Sequence, residues 1–194
     1  MSNKLIAITG GMGSGKSTVS EIIKSIGYPV YSADAIYKDL IKNENFVKQI
    51  YTALDIETND YTFNKDLISS KVFNNKVYLE KLNSVTHPTV INELKRLSNL
   101  HKGLVFNEVP LLFESKLESY YDVVIVVKRN LEERISSVSI RDGISREEII
   151  KRINNQFNYE NLSNTAYTLI CNDGSYLELS DKVKAVIEGI VKKQ

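Results

Sequence analysis

The chain has 194 residues, 25 of them basic and 24 acidic, so its formal net charge at pH 7 is +1. This length supports one substantial core with an appended lobe, and the balanced charge excludes an overall attraction to nucleic acid or anionic membranes. The single cysteine, Cys171, excludes an internal disulfide and a cysteine-based metal cluster. Without a signal-peptide pattern or a membrane-length apolar run, we expect a cytoplasmic protein that binds neither nucleic acid nor membrane. The sequence leaves the oligomeric state open.

Five short apolar runs, rich in β-branched residues, are predicted to be strands of one sheet. They lack polar alternation, which is typical of parallel strands buried on both faces, and helical patterns separate them. The runs are Leu5–Ile8, Pro29–Tyr31, Leu104–Phe106, Val123–Val127 and Leu169–Cys171. A final amphipathic helix is predicted over Ser180–Lys192. This order predicts an α/β fold with a five-stranded parallel sheet and right-handed crossovers.

Residues 10–17, GGMGSGKS, follow the first predicted strand and match the pattern Gly-x-x-x-x-Gly-Lys-Ser/Thr. Glycines let successive backbone N–H groups turn toward an anion, Lys16 can reach β- and γ-phosphates, and the Ser17 hydroxyl can ligate Mg²⁺. A helix predicted over Thr18–Ile26 would point its positive end at the phosphates. The alternative is an ordinary glycine-rich turn, but strand, loop and helix together favour a three-layer P-loop nucleotide-binding fold.

Two stretches are too long to be simple crossovers. Residues 35–102 are mostly helical by pattern, with breaks predicted near Asp55–Phe63 and at His87-Pro88. Residues 128–158 are predicted to form two helices that begin at Asn130 and Ser145, each with a glutamate three residues later, and that are separated by an Asp-Gly turn. Insertions at the carboxyl ends of parallel strands commonly cover the substrate.

Five of the six arginines lie in this second insertion: Arg129, Arg134, Arg141, Arg146 and Arg152. The planar guanidinium fork suits phosphate oxygens, so an arginine-rich helical hairpin is typical of a lid over a polyphosphate. Arg134 and Arg141 are seven residues apart and would share a helix face, and we expect at least one of them to touch nucleotide. The alternative is a solvated face paired with neighbouring glutamates, which suits Arg146 better.

Two carboxylates are candidates for the chemistry of phosphoryl transfer, which needs a proton acceptor and charge neutralisation. Asp34 follows the second predicted strand, at the sheet edge where the phosphate loop must lie; it would accept a hydroxyl proton or cap a helix beginning at Ala35. Glu108 ends the third strand and would help to hold hydrated Mg²⁺ or be an unrelated edge acid. The apolar segment after it, Pro-Leu-Leu-Phe, would wall an acceptor pocket or simply belong to the core.

The motifs taken together resemble those of the dephospho-CoA kinase family along nearly the whole chain. They are the phosphate loop, Ala33-Asp34, His87-Pro88, VPLLFE at 109–114, Arg141-Asp142-Gly143, Arg152-Ile153 with Gln156, and Asn172-Asp173-Gly174. The resemblance implies transfer of the γ-phosphoryl group of ATP, with Mg²⁺, to the ribose 3′-hydroxyl of dephospho-CoA, the last step of coenzyme A synthesis. It also implies a nucleotide-binding core (1–34, 103–128 and 159–194), a helical acceptor region (35–102) and a mobile lid (129–158).

The resemblance also implies roles for individual residues. Asp34 would be the general base, Lys16 and Arg141 would act on the phosphates, and Ser17 would hold the metal. ATP would contact Gly11, Gly13, Ser14, Gly15, Lys16, Ser17, Thr18, Arg141, Asn172 and Gly174, the last two beside adenine. Asp34, His87, Leu111 and Leu112 would bind the acceptor.

The chain departs from the family pattern at several positions. Ser32 stands where the family usually has an aspartate, so one carboxylate near the metal is replaced by a hydroxyl. Arg134 and Ser137 stand where the family tends to have glutamine and arginine, and our hypothesis is that the guanidinium moved by one helical turn. Cys171 replaces an aspartate before Asn172. Two other functions remain in view: another P-loop kinase for a nucleoside monophosphate or small alcohol, and a slow nucleotide-dependent switch, which a missing guanine-reading motif disfavours.

Overall fold

The computed structural model describes residues 3–73, 75–162 and 166–192, and within them it has five strands and eight α-helices. The strands are β1 (Asn3–Thr9), β2 (Val30–Ser32), β3 (Gly103–Glu108), β4 (Val123–Lys128) and β5 (Thr168–Cys171). The helices are α1 (Lys16–Ser25), α2 (Ala33–Leu40), α3 (Glu44–Ala53), α4 (Lys65–Val72), α5 (Lys76–Ser98), α6 (Leu131–Asp142), α7 (Arg146–Asn154) and α8 (Tyr176–Lys192). None of these helices has the length and apolar character needed to cross a bilayer.

The strands form one sheet in the order β2-β3-β1-β4-β5, which confirms the predicted five-stranded α/β architecture. Strand β1 is central and pairs in parallel with β3, where Ile6 lies opposite Phe106, and with β4, where Ala7 lies opposite Val124. The side chains of Ile6 and Ile8 on one face of β1, and that of Ala7 on the other face, are fully buried. Apolar residues on both faces of β1 therefore fix it in the middle of the core.

The chain divides into two compact units, one of Met1–Val30 with His101–Gln194 and the other of Tyr31–Leu100. In the first unit, α1 and α8 pack on the sheet and bury residues such as Ile23 and Val183. In the second unit, α5 packs against α2, α3 and α4 around the buried side chains of Phe46, Ile50 and Tyr51. The three-part division into core, acceptor region and lid stays a prediction.

Of the two breaks predicted in the helical region, one is confirmed and one is wrong. No helix covers residues 54–64, but α5 runs without interruption through His87 and Pro88. A proline in a helix interior removes an N–H donor and costs about 3 kcal/mol. Packing of the buried residues Val90 and Leu94 offsets this cost, and a threonine hydroxyl, that of Thr89, donates to the Val85 carbonyl one turn earlier.

Capping residues set the helix ends more firmly than the apolar pattern does. Asn130 and Ser145 cap α6 and α7, as predicted. Helix α8 begins at Tyr176 rather than at the predicted Ser180, because Ser175 and Glu178 form a reciprocal capping pair: Glu178 Oε2 accepts from the Ser175 N–H (2.7 Å) and Ser175 Oγ accepts from the Glu178 N–H (3.3 Å). Helix α1 likewise begins at Lys16, before the predicted Thr18.

Candidate active site

The predicted phosphate loop connects β1 directly to α1. Gly15 is the N-cap of α1 with a φ of 92°, a left-handed conformation that glycine adopts without strain. The next residues, Lys16, Ser17 and Thr18, form the first turn, whose N–H groups have no acceptor earlier in the helix. Loop and helix therefore give the arrangement that binds phosphate at a helix N-terminus.

Lys16 spans the loop with its side chain. Its Nζ donates to the carbonyl oxygens of Gly10 and Gly11 at 2.9 and 3.0 Å. The ammonium group is thereby held at the entrance of the loop, on the residues that precede Gly13 and Ser14. A lysine in this place is positioned to neutralise β- and γ-phosphate oxygens.

Glu108, at the end of β3, joins the loop to the sheet. Its carboxylate is buried and accepts hydrogen bonds from Ser17 Oγ and Ser20 Oγ, both at 2.9 Å. Of the two interpretations of Glu108, this contact with Ser17 favours a role beside the predicted metal ligand over an unrelated edge acid. The hydroxyl and carboxylate oxygens are hard donors of the kind that Mg²⁺ prefers. Within the described ranges, no three His, Cys, Asp or Glu side chains gather into a metal-binding group.

Asn172, which follows β5, contacts the backbone of the phosphate loop through its side chain. Its side-chain Nδ2 donates to the Ser14 carbonyl at 2.9 Å, and its own N–H bonds to the Lys128 carbonyl at 2.8 Å. A Cβ on Gly15 would lie only 2.2 Å from this Nδ2. Spacing in the sequence does not signal this contact. Gly174, two residues later, is exposed beside the start of α8, and the adenine contact of both residues stays a prediction.

The arginines of the predicted lid occupy different environments. Arg134 is buried, and its Nε donates to the Met12 carbonyl at 2.9 Å, so it contacts the phosphate loop itself. Arg141 is exposed and forms a two-point contact with Asp142 at 2.7 and 2.8 Å. Arg146 pairs with Glu132 on α6, as the solvated-face alternative predicts. The structure therefore brings Arg134, and not Arg141, to the loop.

The segment after α7 contacts the phosphate loop and residues beside it through side chains for which the motifs predicted no individual role. Gln156 Oε1 accepts from the N–H of Met12 at 2.8 Å. Tyr159 is buried, and its hydroxyl donates to the Pro110 carbonyl at 3.3 Å and lies 3.5 Å from Thr9 Oγ1. Burial raises the pKa of Tyr159 to about 12, so the hydroxyl keeps its proton at neutral pH.

Asp34 lies in the first turn of α2, in the second unit, and its side chain is exposed. The cap of this helix is Ser32, whose Oγ accepts from the N–H of Ala35 at 3.5 Å. The interpretation of Asp34 as an N-cap is therefore wrong, because the helix begins two residues earlier than that interpretation assumes. Ser32, where the resemblance implies an aspartate, therefore supplies the capping hydroxyl of α2.

The remaining acceptor candidates differ in accessibility. His87 is half-buried within α5, and burial lowers the pKa of its imidazole. Leu111 is 47% exposed, whereas Leu112 is fully buried. Of the two leucines, Leu111 therefore has the surface that an acceptor could contact. The contacts of His87, Leu111 and Leu112 with an acceptor stay predictions.

A parallel sheet with a phosphate loop after its central strand, a lysine across that loop and an arginine-bearing helical hairpin defines a P-loop kinase. The family model described as dephospho-CoA kinase matches residues 4–178. A Fusobacterium nucleatum dephospho-CoA kinase is 37% identical over 98% of this chain and 100% of its own length. The chain belongs to the dephospho-CoA kinase family, whose reaction is the final step of coenzyme A biosynthesis.

Two solved structures extend the similarity to the fold. A Thermus thermophilus protein is 34% identical, with a TM-score of 0.84 over 97% of this chain and 98% of its own. The dephospho-CoA kinase from Campylobacter jejuni is 26% identical, with a TM-score of 0.61 over 97% of both chains. The family resemblance stated from the motifs is thereby confirmed over nearly the full length.

Proposed function

We propose that this chain transfers the γ-phosphoryl group of ATP to the ribose 3′-hydroxyl of dephospho-CoA, forming coenzyme A and ADP. The observation that carries the proposal is the phosphate loop with Lys16 Nζ across it, bonded to the Gly10 and Gly11 carbonyls, in a chain of this family. The loop is the proposed phosphate-binding site, and membership of the family is the reason to propose dephospho-CoA as the acceptor. The cytoplasm is the expected location, since ATP is the phosphoryl donor.

The transfer needs one proton acceptor. The oxygen of the ribose 3′-hydroxyl attacks the γ-phosphorus, the bond from that phosphorus to the β–γ bridging oxygen breaks, and ADP leaves. We assign the hydroxyl proton to the carboxylate of Asp34. Three facts support this role: Asp34 is exposed, it lies in the first turn of the helix that follows β2, and Ser32 rather than Asp34 caps that helix.

The phosphates would be neutralised from two sides. Lys16 lies across the loop and would reach the β- and γ-phosphate oxygens. Arg141 would clamp phosphate from the lid, for which its guanidinium must leave the Asp142 carboxylate that it contacts at 2.7 Å. The loop residues Gly11 to Thr18 would supply backbone N–H groups, and Asn172 and Gly174 would lie beside adenine.

Mg²⁺ is the metal we propose, held by the hydroxyl of Ser17 with the Glu108 carboxylate beside it. The 2.9 Å contact between these two side chains places a neutral and an anionic oxygen donor together at the first turn of α1. When bound, the metal would supply positive charge to the β- and γ-phosphate oxygens.

The decisive assay uses the purified protein with Mg-ATP and follows ADP formation together with the mass of the product. With dephospho-CoA we expect a product heavier by one phosphoryl group. Nucleoside monophosphates and small alcohols are the matched alternative acceptors. Turnover with one of those and none with dephospho-CoA would mean that the chain is a different P-loop kinase.

Lys16→Ala tests the phosphate site. Loss of the ammonium group is expected to reduce kcat/KM by at least about 100-fold, since groups that neutralise transition-state charge contribute this much. Lys24→Ala is the matched control because Lys24 is exposed in the last turn of the same helix. Normal turnover by Lys16→Ala would refute the role assigned to the loop.

A further inference from the structure

Residues 156–159 follow α7, and this stretch, which we call the bridging segment, contacts two parts of the proposed site at once. Gln156 Oε1 accepts a hydrogen bond from the Met12 N–H at 2.8 Å, which holds the segment on the phosphate loop. The Phe157 N–H donates to a carboxylate oxygen of Glu114 at 2.9 Å, which holds the segment on the VPLLFE motif after β3. Two adjacent residues therefore connect the loop with the motif that contains two of the predicted acceptor contacts.

Aromatic packing strengthens the connection to the motif. The Phe157 ring stacks on the ring of Phe113, with centroids 4.6 Å apart and an interplanar angle of 24°. The Tyr159 ring packs edge-on against both, with its centroid 5.3 Å from that of Phe157 and 5.8 Å from that of Phe113. Stacked and edge-to-face arrangements are the favoured geometries of aromatic pairs. The three rings therefore hold the bridging segment on the motif in addition to the hydrogen bond.

The hydroxyl of Tyr159 lies between the same two parts of the site. It donates to the Pro110 carbonyl at 3.3 Å and lies 3.5 Å from Thr9 Oγ1. Thr9 directly precedes Gly10, the first residue of the phosphate loop. Pro110 directly precedes Leu111, the exposed leucine of the predicted acceptor site. The hydroxyl is therefore one residue away from the loop and one residue away from a predicted acceptor contact.

The two connected parts would hold the two reactants. The phosphate loop follows β1 and the VPLLFE motif follows β3, and these strands pair in parallel up to Ile8 opposite Glu108. Beyond that pair both chains contact the bridging segment, and all three segments belong to the same compact unit. In-line transfer requires reacting atoms about 3–3.5 Å apart, and a displacement of about 1 Å can reduce the rate about 100-fold. The spacing between loop and motif therefore affects the rate of transfer.

We propose that Gln156, Phe157 and Tyr159 are positioning residues that set this spacing, so that the γ-phosphoryl group is aligned with the acceptor hydroxyl and not with water. The inference rests on the proposed function and extends it to residues that contact neither ATP nor acceptor. When the bridging segment is released, both ligands still bind but transfer is uncoupled. In the uncoupled reaction a water oxygen attacks the γ-phosphorus, the bond to the β–γ bridging oxygen breaks, and ADP leaves. Inorganic phosphate forms, and one proton passes to solvent.

The test measures ADP, inorganic phosphate and coenzyme A formed from saturating Mg-ATP and dephospho-CoA. The wild type should form one ADP per coenzyme A. Gln156→Ala releases the segment from the loop, and Glu114→Ala releases it from the motif. We expect each variant to lower kcat for coenzyme A by about 10-fold, to change either KM by less than about 3-fold, and to raise the ratio of ADP to coenzyme A.

The double variant separates positioning from local support. Since either substitution breaks the same connection, Gln156→Ala combined with Glu114→Ala should lower kcat little further than one substitution alone. Local support predicts a different pattern: a higher KM for ATP in Gln156→Ala, a higher KM for dephospho-CoA in Glu114→Ala, additive losses, and a ratio that stays at one. That pattern would overturn the inference.

Three further variants complete the experiment. Glu114→Gln keeps an oxygen acceptor for the Phe157 N–H and should restore the wild-type ratio. Asn158→Ala is the matched control inside the bridging segment, since the exposed Asn158 side chain accepts a bond from the Glu160 N–H; its ratio should stay at one. Tyr159→Phe keeps the ring and removes only the hydroxyl, so it decides the question if urea unfolding shows that an alanine variant is not folded.

The outcomes distinguish this inference from the function on which it rests. A ratio that stays at one in folded Gln156→Ala or Glu114→Ala, or in Tyr159→Phe where it replaces them, overturns the positioning role. A wild-type protein that forms no coenzyme A from dephospho-CoA would instead overturn the proposed function.

Discussion

The side-chain amide of Asn172 donates a 2.9 Å hydrogen bond to the carbonyl oxygen of Ser14, linking residues that are 158 positions apart in the chain. Asn172 is held in turn by the Lys128 carbonyl at the end of β4. The phosphate loop, which leaves the carboxyl end of β1, is therefore tied to the residue that follows the carboxyl end of β5, at the same edge of the parallel sheet. A loop fixed in this way does not need to be ordered by the nucleotide, which lowers the entropic cost of binding.

Replacement of Asn172 should loosen the loop. Asn172→Ala leaves the Ser14 carbonyl without its donor, and an unsatisfied buried polar group costs about 1–3 kcal/mol. We expect that loss in the free energy of unfolding by urea, together with a higher KM for ATP. Asn158→Ala is the control: Asn158 is exposed and accepts a local hydrogen bond from the Glu160 N–H, two residues away. Equal stability of the two variants would contradict the bracing role.

Substitutions of Ser17 and Ser20 form a matched pair that tests whether Ser17 is the Mg²⁺ ligand. Both hydroxyls donate to Glu108 at 2.9 Å, but Ser17 is exposed at the loop while Ser20 is buried one turn further along α1. Ser17→Ala is expected to raise the Mg²⁺ concentration needed for half-maximal activity. Ser20→Ala should reduce stability by about 1 kcal/mol through its lost hydrogen bond and leave the Mg²⁺ requirement unchanged. A shift of the requirement in both variants, or in neither, would show that Ser17 is not the ligand.

The assignment of Asp34 predicts a specific kinetic effect. Asp34→Asn removes the proton acceptor but keeps the size of the side chain, so kcat should fall by about 10²- to 10⁴-fold while ATP affinity stays near the wild-type value. Asp39→Asn, on the same helix, is the control because Asp39 is 76% exposed and pairs with Lys42. Wild-type kcat in Asp34→Asn would rule out its role as general base.

The sheet could be predicted from the sequence because apolar runs without polar alternation specify strands buried on both faces. Ile6 and Ile125, both in predicted strands, are fully buried. The phosphate loop could be predicted for a similarly local reason, because Gly15, Lys16 and Ser17 are consecutive residues of one short motif. The continuous helix at Pro88 was not, because packing of residues such as Leu94 outweighs a local preference.

Contacts between distant segments could not be predicted from the sequence. Spacing marks Arg134 as one of several arginines of the predicted lid, but only the fold shows that it alone among them is buried, with its Nε on the Met12 carbonyl. Tyr159 carries no motif, yet its hydroxyl bonds to the Pro110 carbonyl. Such contacts depend on which loops the sheet order brings together, and local periodicity holds no information about that order.

The half-buried His87 predicts how stability depends on pH. Burial lowers the pKa of His87 from its ordinary 6.5, so below pH 6.5 the unfolded chain binds a proton that the folded chain resists. The stability contributed by the neutral imidazole is therefore fully present above pH 6.5, the pKa of the unfolded chain. It is lost as the pH falls from there through the lower pKa of the folded protein. Urea unfolding at pH 7.5 and 5.5 should show a smaller drop in stability for His87→Gln than for the wild type, since glutamine does not titrate. An equal drop in both proteins would mean that burial of His87 does not control this dependence, and the decline would belong to other groups.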